Sequence, residues 1–296
     1  MLSTARLGGV RSGESLPCSP LPRLSYRAGM GSPVWDDGAG YEAYVGRWSR
    51  LVAPGFLHWL HRPAGLRWLD VGSGSGVLTA AALTAAAPRR IIGVEPSAGF
   101  AAQARTAVPD RRATFVQGDA DHLPLPDAAV DVVVSGLVLN FLAQPAHALQ
   151  ECVRVVVPGG VVGAYVWDYG EGMAMMRHFW EAAGTVDPAA ATRDDGRRFS
   201  RWGPRLLREL WLDAGLTEVS VQALDIPTVF RDFTDYWQPF LGGQGSAPGY
   251  LASLTEQQQS AVRDVLAARL PIEPDGSIRL TARAWAVRGS RDDRGR

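Results

Sequence analysis

Two hydrophobic rhythms alternate along the chain. Short Val/Ile-rich runs, apolar on both faces, stand at 66–71 (LRWLDV), 90–95 (RIIGVE), 113–119 (ATFVQGD), 130–136 (VDVVVSG) and 160–167 (GVVGAYVW). Between them the apolar spacing is helical over 75–87, 97–108 and 144–155, the last ended by Pro158-Gly159-Gly160. Strands that are apolar on both faces suit a parallel sheet covered by helices on either side. Further helices are expected near 172–183 and 203–215, then a sixth strand at 218–226 and a closing strand at 277–289. Ahead of the first strand, 41–61 also carries helical spacing, with a break expected at Pro54.

The domain plan follows from that pattern. Residues 1–32, rich in Ser, Gly, Pro and Arg without apolar periodicity, are expected to be a disordered tail, and Met30 is a possible true start. Residues 33–296 are expected to be one α/β domain, with N-terminal cap helices over 33–62. Residues 227–276 fall between the last two strands, where a simple fold would use a hairpin, so they are expected to be an inserted cap. Its aromatics, Phe230, Phe233, Tyr236, Trp237 and Phe240, either close an apolar pocket or form the cap's own core.

Composition narrows the chemistry. Thirty acidic residues balance thirty basic ones across 296 positions, so no overall field draws in nucleic acid or anionic lipid. All the basic residues are arginine, which excludes a catalytic or Schiff-base lysine and a phosphate-cradling G-K-[ST] loop. Two cysteines, Cys18 and Cys152, are too few for a disulfide framework, and Cys152 sits in a helical apolar pattern as a small core residue. No metal site is expected from five scattered histidines. The absence of a continuous apolar h-region or spanning run makes a cytoplasmic chain without a membrane span the expectation.

The candidate chemistry centres on LDVGSGSG, residues 69–76. A dinucleotide turn wants G-x-G-x-x-G, but the glycines are Gly72, Gly74 and Gly76, and position 77 is Val. Asp70, just before the turn, would repel a pyrophosphate and suits a ligand that carries positive charge. Glu95 ends the second strand at about the 20-residue spacing at which a carboxylate meets a ribose. Asp119 ends the third strand, where an acid followed by a small residue can meet an adenine amino group. Each acid alone reads equally as a turn or helix-cap residue; the three together, around this turn, outline an adenosine with a cationic tail.

These residues resemble the class I S-adenosylmethionine-dependent methyltransferases, in the branch of the menaquinone and ubiquinone C-methyltransferases. The resemblance rests on LDVGSGSG, GVEPS, GDADHLPLPD, VVVSGLVLNFL and VPGGVVGAYVWD. It implies a Rossmann-like, doubly wound seven-stranded sheet whose last strand is antiparallel, with S-adenosyl-L-methionine as cofactor. It implies that Asp70, Gly72 and Gly74 line the methionine end, with Ser73 and Gly76 of the same turn also binding cofactor, and that Glu95 holds the ribose. Asp119 and Ala120 would hold adenine, and backbone around Ser135 would meet the methionine amine. The segment YEAYVGRWSRLVAPGFL also looks like the N-terminal helix that folds over the cofactor in this branch. There Arg47 would pair with the methionine carboxylate and Tyr44 would wall the site, unless Arg47 is simply a surface arginine.

On the acceptor side the candidates are Asn140, after the fourth strand, and Asp168, after the fifth. Asp168 serves either as a base or hydroxyl partner or as the cap of the helix near 172. The chain lacks both the Pro-Cys nucleophile of cytosine methylation after the fourth strand and the Asp/Asn-Pro-Pro-aromatic turn of base amino-methylation, which points away from nucleic acid. The expected partner is therefore a small-molecule acceptor, methylated on O, N or C. The alternative is a non-catalytic S-adenosylmethionine-binding or assembly protein. The sequence leaves the acceptor and the oligomeric state open.

Overall fold

A computed structural model of the chain describes residues 46–242 and 245–293. The tail expected over 1–32, the first part of the N-terminal cap region and Tyr44 lie outside the described residues. Seven strands form one sheet: β1 (Arg67–Val71), β2 (Arg90–Glu95), β3 (Ala113–Gln117), β4 (Val130–Gly136), β5 (Val156–Trp167), β6 (Leu216–Phe230) and β7 (Ile278–Arg291). Their order is β3-β2-β1-β4-β5-β7-β6. The strands from β3 to β5 are parallel, and β7 runs antiparallel to both β5 and β6. This is the α/β, Rossmann-like sheet with a reversed last strand that the sequence resemblance implied.

Helices α1 (Arg47–Leu60), α2 (Val77–Ala85), α3 (Ala98–Ala107), α4 (Pro145–Val155), α5 (Ala174–Val186) and α6 (Pro204–Asp213) cover the sheet. The inner strands are buried on both faces, with Trp68, Leu69, Ile91, Val132, Val133 and Val134 all inaccessible. Helix α4 turns Ala148, Leu149, Cys152 and Val155 inward, the i, i+1, i+4, i+7 stripe of an amphipathic helix. Burial pushes the Cys152 thiol up to about 12, as befits an inert core residue.

Three boundaries differ from the sequence reading. Helix α1 runs through Pro54 without a break. Pro54 lies on the exposed face, while Val52, Ala53, Phe56, Leu57 and Leu60 anchor the other face to the core. Packing there outweighs the lost backbone hydrogen bond. Strand β5 begins at Val156 and includes Pro158-Gly159-Gly160 as an irregularity, with a register shift against β4 between Val130 and Val132. Gly159 takes the left-handed φ of +73° that this bulge needs.

Strand β6 continues to Phe230, which pairs with Ile278. Pro227 does not stop it because β6 is an edge strand, where a missing N–H leaves no ladder partner unsatisfied. The inserted cap therefore begins after Phe230 rather than at 227. Since Trp167 pairs with Ala284 and Ala284 with Leu224, residues 225–230 run on past the end of β5. They carry the cap, α7 (Phe233–Trp237), α8 (Ser246–Ala252) and α9 (Glu256–Arg269), above the carboxyl edge of the sheet. The cap aromatics are continuous with the main core. Phe230, Tyr236 and Phe240 are buried ring against ring, and Phe240 stacks on Phe179 of α5 at 4.5 Å.

Candidate functional site

The chain leaves β1 for β2 on one side and later returns to β4 on the other, so a crevice opens at the carboxyl ends of β1 and β4. Ligands of open α/β sheets bind at this switch point. The glycine turn fills its floor. Gly72, Gly74 and Gly76 all adopt left-handed φ, of +72°, +52° and +88°, but for different reasons. A Cβ on Gly72 would lie 2.6 Å from Val138 Cγ2, and one on Gly76 would lie 2.9 Å from Val108 Cγ2. A Cβ on Gly74 would meet nothing within 4 Å. Two of these glycines let protein pack on the turn; the third faces open space.

Acids surround that space. Glu95, buried at the end of β2, accepts the Gly74 N–H through Oε2 and the Ser97 N–H through Oε1, each at 3.0 Å. Each carboxylate oxygen keeps a lone pair for a further donor. Asp70 is fully buried; its Oδ2 accepts from Thr79 Oγ1 at 2.7 Å and its Oδ1 has no partner. Burial pushes the Asp70 carboxyl up to about 7, the Thr79 hydrogen bond opposes this, and the neighbouring Glu95 charge adds to it. Ser73 Oγ is buried without a partner. Ser135 Oγ is spent on the Val71 carbonyl at 2.9 Å, tying β4 to β1 beneath the turn. Just beyond it Leu137 holds a φ of +63°, a conformation that costs a residue with a Cβ about 1–2 kcal/mol. Asp119 is exposed and accepts the Asp121 N–H at 2.7 Å, so one oxygen closes a turn, while Ala120 beside it is buried.

The segment that carries the turn and the acids is covered by a match to known proteins. A family model described as a methyltransferase domain matches residues 69–163. That segment is similar to a methyltransferase domain, and the whole sheet shares the fold of solved methyltransferases. S-adenosylmethionine is the cofactor that the sequence resemblance implies. Among curated proteins, the biotin biosynthesis bifunctional protein BioHC of Cellvibrio japonicus is 32% identical over 163 residues, which is 54% of this chain and 30% of that protein. An uncharacterized methyltransferase of Mycolicibacterium vanbaalenii is 42% identical over 106 residues, 35% of this chain and 41% of that protein. The chain thus spans less than half the length of either relative. Among solved structures, a Haemonchus contortus phosphoethanolamine N-methyltransferase 2 in complex with S-adenosyl-L-methionine superposes with a TM-score of 0.54 at 15% identity. The match covers 88% of this chain and 60% of that one.

A methyltransferase cofactor fits what the crevice offers. Gly74 leaves room where any side chain would intrude, and the orphaned Asp70 Oδ1 and Ser73 Oγ are buried polar atoms that a ligand can satisfy. Other residues singled out from sequence fare differently. Arg47 donates from Nη1 to Asp235 Oδ1 of the cap at 3.1 Å, and its guanidinium stacks 4.3 Å over Trp48 and 4.8 Å over Phe230. It is therefore not a free surface arginine, and its remaining Nε and Nη2 are buried without a partner. Asp168 does not cap α5, which begins at Ala174 with Met173 at its N-cap; its Oδ1 accepts the Glu171 N–H at 3.2 Å in the preceding turn. Asn140 is 5% exposed, and both its Oδ1 and Nδ2 lack partners, which costs about 1–3 kcal/mol for each unsatisfied group.

Thr79 and Leu137 were not found from the sequence. A polar residue between Leu78 and Ala82 on the inward face of α2 was a usable signal for Thr79. A left-handed leucine leaves none.

Proposed function

We propose that this methyltransferase transfers a methyl group from S-adenosylmethionine to a small, partly apolar organic acceptor. The observation that carries the reading is Gly74, left-handed and open to space, with the Glu95 carboxylate hydrogen-bonded to its N–H. S-adenosylmethionine, when bound, supplies a methyl group on a sulfonium that leaves as a neutral thioether. The chain's own residues bind and orient. Glu95 accepts the ribose hydroxyls through its remaining lone pairs, and Asp70 sets a negative charge near the cationic methionine end. Backbone around Ser135 and Gly136 meets the methionine amine, and Asp119 with Ala120 meets the adenine edge. Arg47, which keeps two unpaired donors while Asp235 holds its fork, is the partner for the methionine carboxylate.

Alignment of acceptor, methyl and sulfur in a site closed from water is worth about 7–11 kcal/mol, so turnover does not demand a general base. The turn hydrogen bond that Asp168 makes leaves it as a secondary candidate for that role. Asn140 is the acceptor-side residue favoured by its unpaired amide. The test is incubation of the full chain with methyl-labelled cofactor and an extract of its native cell. Label in a low-molecular-mass product is expected; slow hydrolysis alone, with every extract fraction, would mean a binding or assembly protein.

A further inference from the structure

The turn Leu139–Phe141 after β4 lies directly against the glycine turn. Val138 is the side chain that a Cβ on Gly72 would strike at 2.6 Å, and Ser135 Oγ bonds the Val71 carbonyl at 2.9 Å. Asn140 stands two residues beyond Val138, 5% exposed, with neither end of its carboxamide partnered. A leucine of similar volume would bury there without leaving a polar group unpaired. An amide kept in such a place has a use for its hydrogen bonds that the free chain does not supply.

The next residue along the chain belongs to an aromatic cluster. Phe141, half-buried, meets Phe199 edge-on with ring centroids 5.4 Å apart, and Tyr169, from the loop after β5, at 6.5 Å. Tyr169 and Phe199 close the group at 5.1 Å. A carboxamide presents one acceptor oxygen and one donor nitrogen side by side in a plane. The group that complements it carries a donor and an acceptor side by side in the same way. Beside a wall of three rings, the body that carries it best is itself flat and aromatic.

We propose that Asn140 and the Phe141–Tyr169–Phe199 wall form the acceptor subsite, built for a planar aromatic molecule bearing a neutral donor–acceptor pair, such as a hydroxyl beside a carboxamide. This rests on the methyltransferase reading, because it takes the glycine turn to be the cofactor's floor. The Asn140 carboxamide is itself uncharged, so its complement is a neutral edge rather than a carboxylate.

The full chain, saturated with S-adenosylhomocysteine, is titrated with salicylamide, salicylate, phenol and cyclohexanecarboxamide. Salicylamide is expected to bind at least tenfold more tightly than the other three. Asn140→Leu is expected to lose that tenfold while its melting temperature stays level or rises, and Asn140→Ala provides the same binding test should the leucine not fit. Equal binding of salicylamide and phenol, a preference for salicylate, or undiminished binding to both variants would overturn the assignment. A melting temperature that falls in Asn140→Leu with binding unchanged would make Asn140 a structural residue. Failure of S-adenosylhomocysteine itself to bind would instead strike the cofactor reading.

Discussion

At the scale of single residues, Gly74 can be separated from its neighbours. Gly74→Ala must adopt φ +52° at a cost of about 1–2 kcal/mol, which lowers the melting temperature by a few degrees. The added methyl enters the open space, so affinity for S-adenosylmethionine should drop at least tenfold. Gly65→Ala, also at positive φ with nothing within 4 Å but remote from the turn, should cost similar stability and leave affinity intact. Asp70 gives a pH dependence. Its pKa is raised to about 7 by burial in the folded chain, so between about 4 and 7 the folded state holds a proton that the unfolded state has lost. Stability contributed by this group is present at low pH and declines as pH rises to about 7. A cationic ligand favours the ionised form, so cofactor affinity should rise from pH 5.5 to 8, and Asp70→Asn should flatten that profile in calorimetric titrations.

At the scale of elements, the cap is held by partly buried polar ties. Ser246 at the start of α8 donates to Asp195 Oδ1 at 2.6 Å, and Tyr250, on the same helix, donates to Asp187 at 2.9 Å. Burial raises Asp195 to about 6, with Ser246 and the Arg198 charge pulling the other way. Ser246→Ala should therefore cost about 1.5–3 kcal/mol at pH 8, where the carboxylate is charged, and less at pH 5, as read from denaturant melts at both pH values. None of these ties was legible in the sequence, because Asp195 and Ser246 stand 51 positions apart with no periodic pattern to join them. The strands were legible because fully buried β-branched runs have no other use. Element boundaries were less so: the break expected at Pro54, the irregular start of β5 at Pro158-Gly159-Gly160 and the strand end expected at 226 gave way to packing, a bulge and an edge position.

At the scale of the whole molecule, the row of acids was legible because strand ends recur in order along the chain, and the strand order β3-β2-β1-β4 then places those ends along one crevice. What each carboxylate does beyond that was not. Glu95 proves bonded to the turn itself, Asp119 to its own loop, and Arg47 to the cap. The balanced charge of the chain adds no long-range pull. No helix among the described residues is long and apolar enough to cross a membrane. The central claim is that Gly74 and Glu95 form the floor and ribose wall of an S-adenosylmethionine site. Calorimetric titration of the full chain and of Glu95→Ala with S-adenosylmethionine, and with NADH as a competitor, tests it most directly. Micromolar binding of S-adenosylmethionine, weakened at least tenfold by Glu95→Ala with the melting temperature held, is the predicted result; unchanged affinity in the variant, or a preference for NADH, would contradict it.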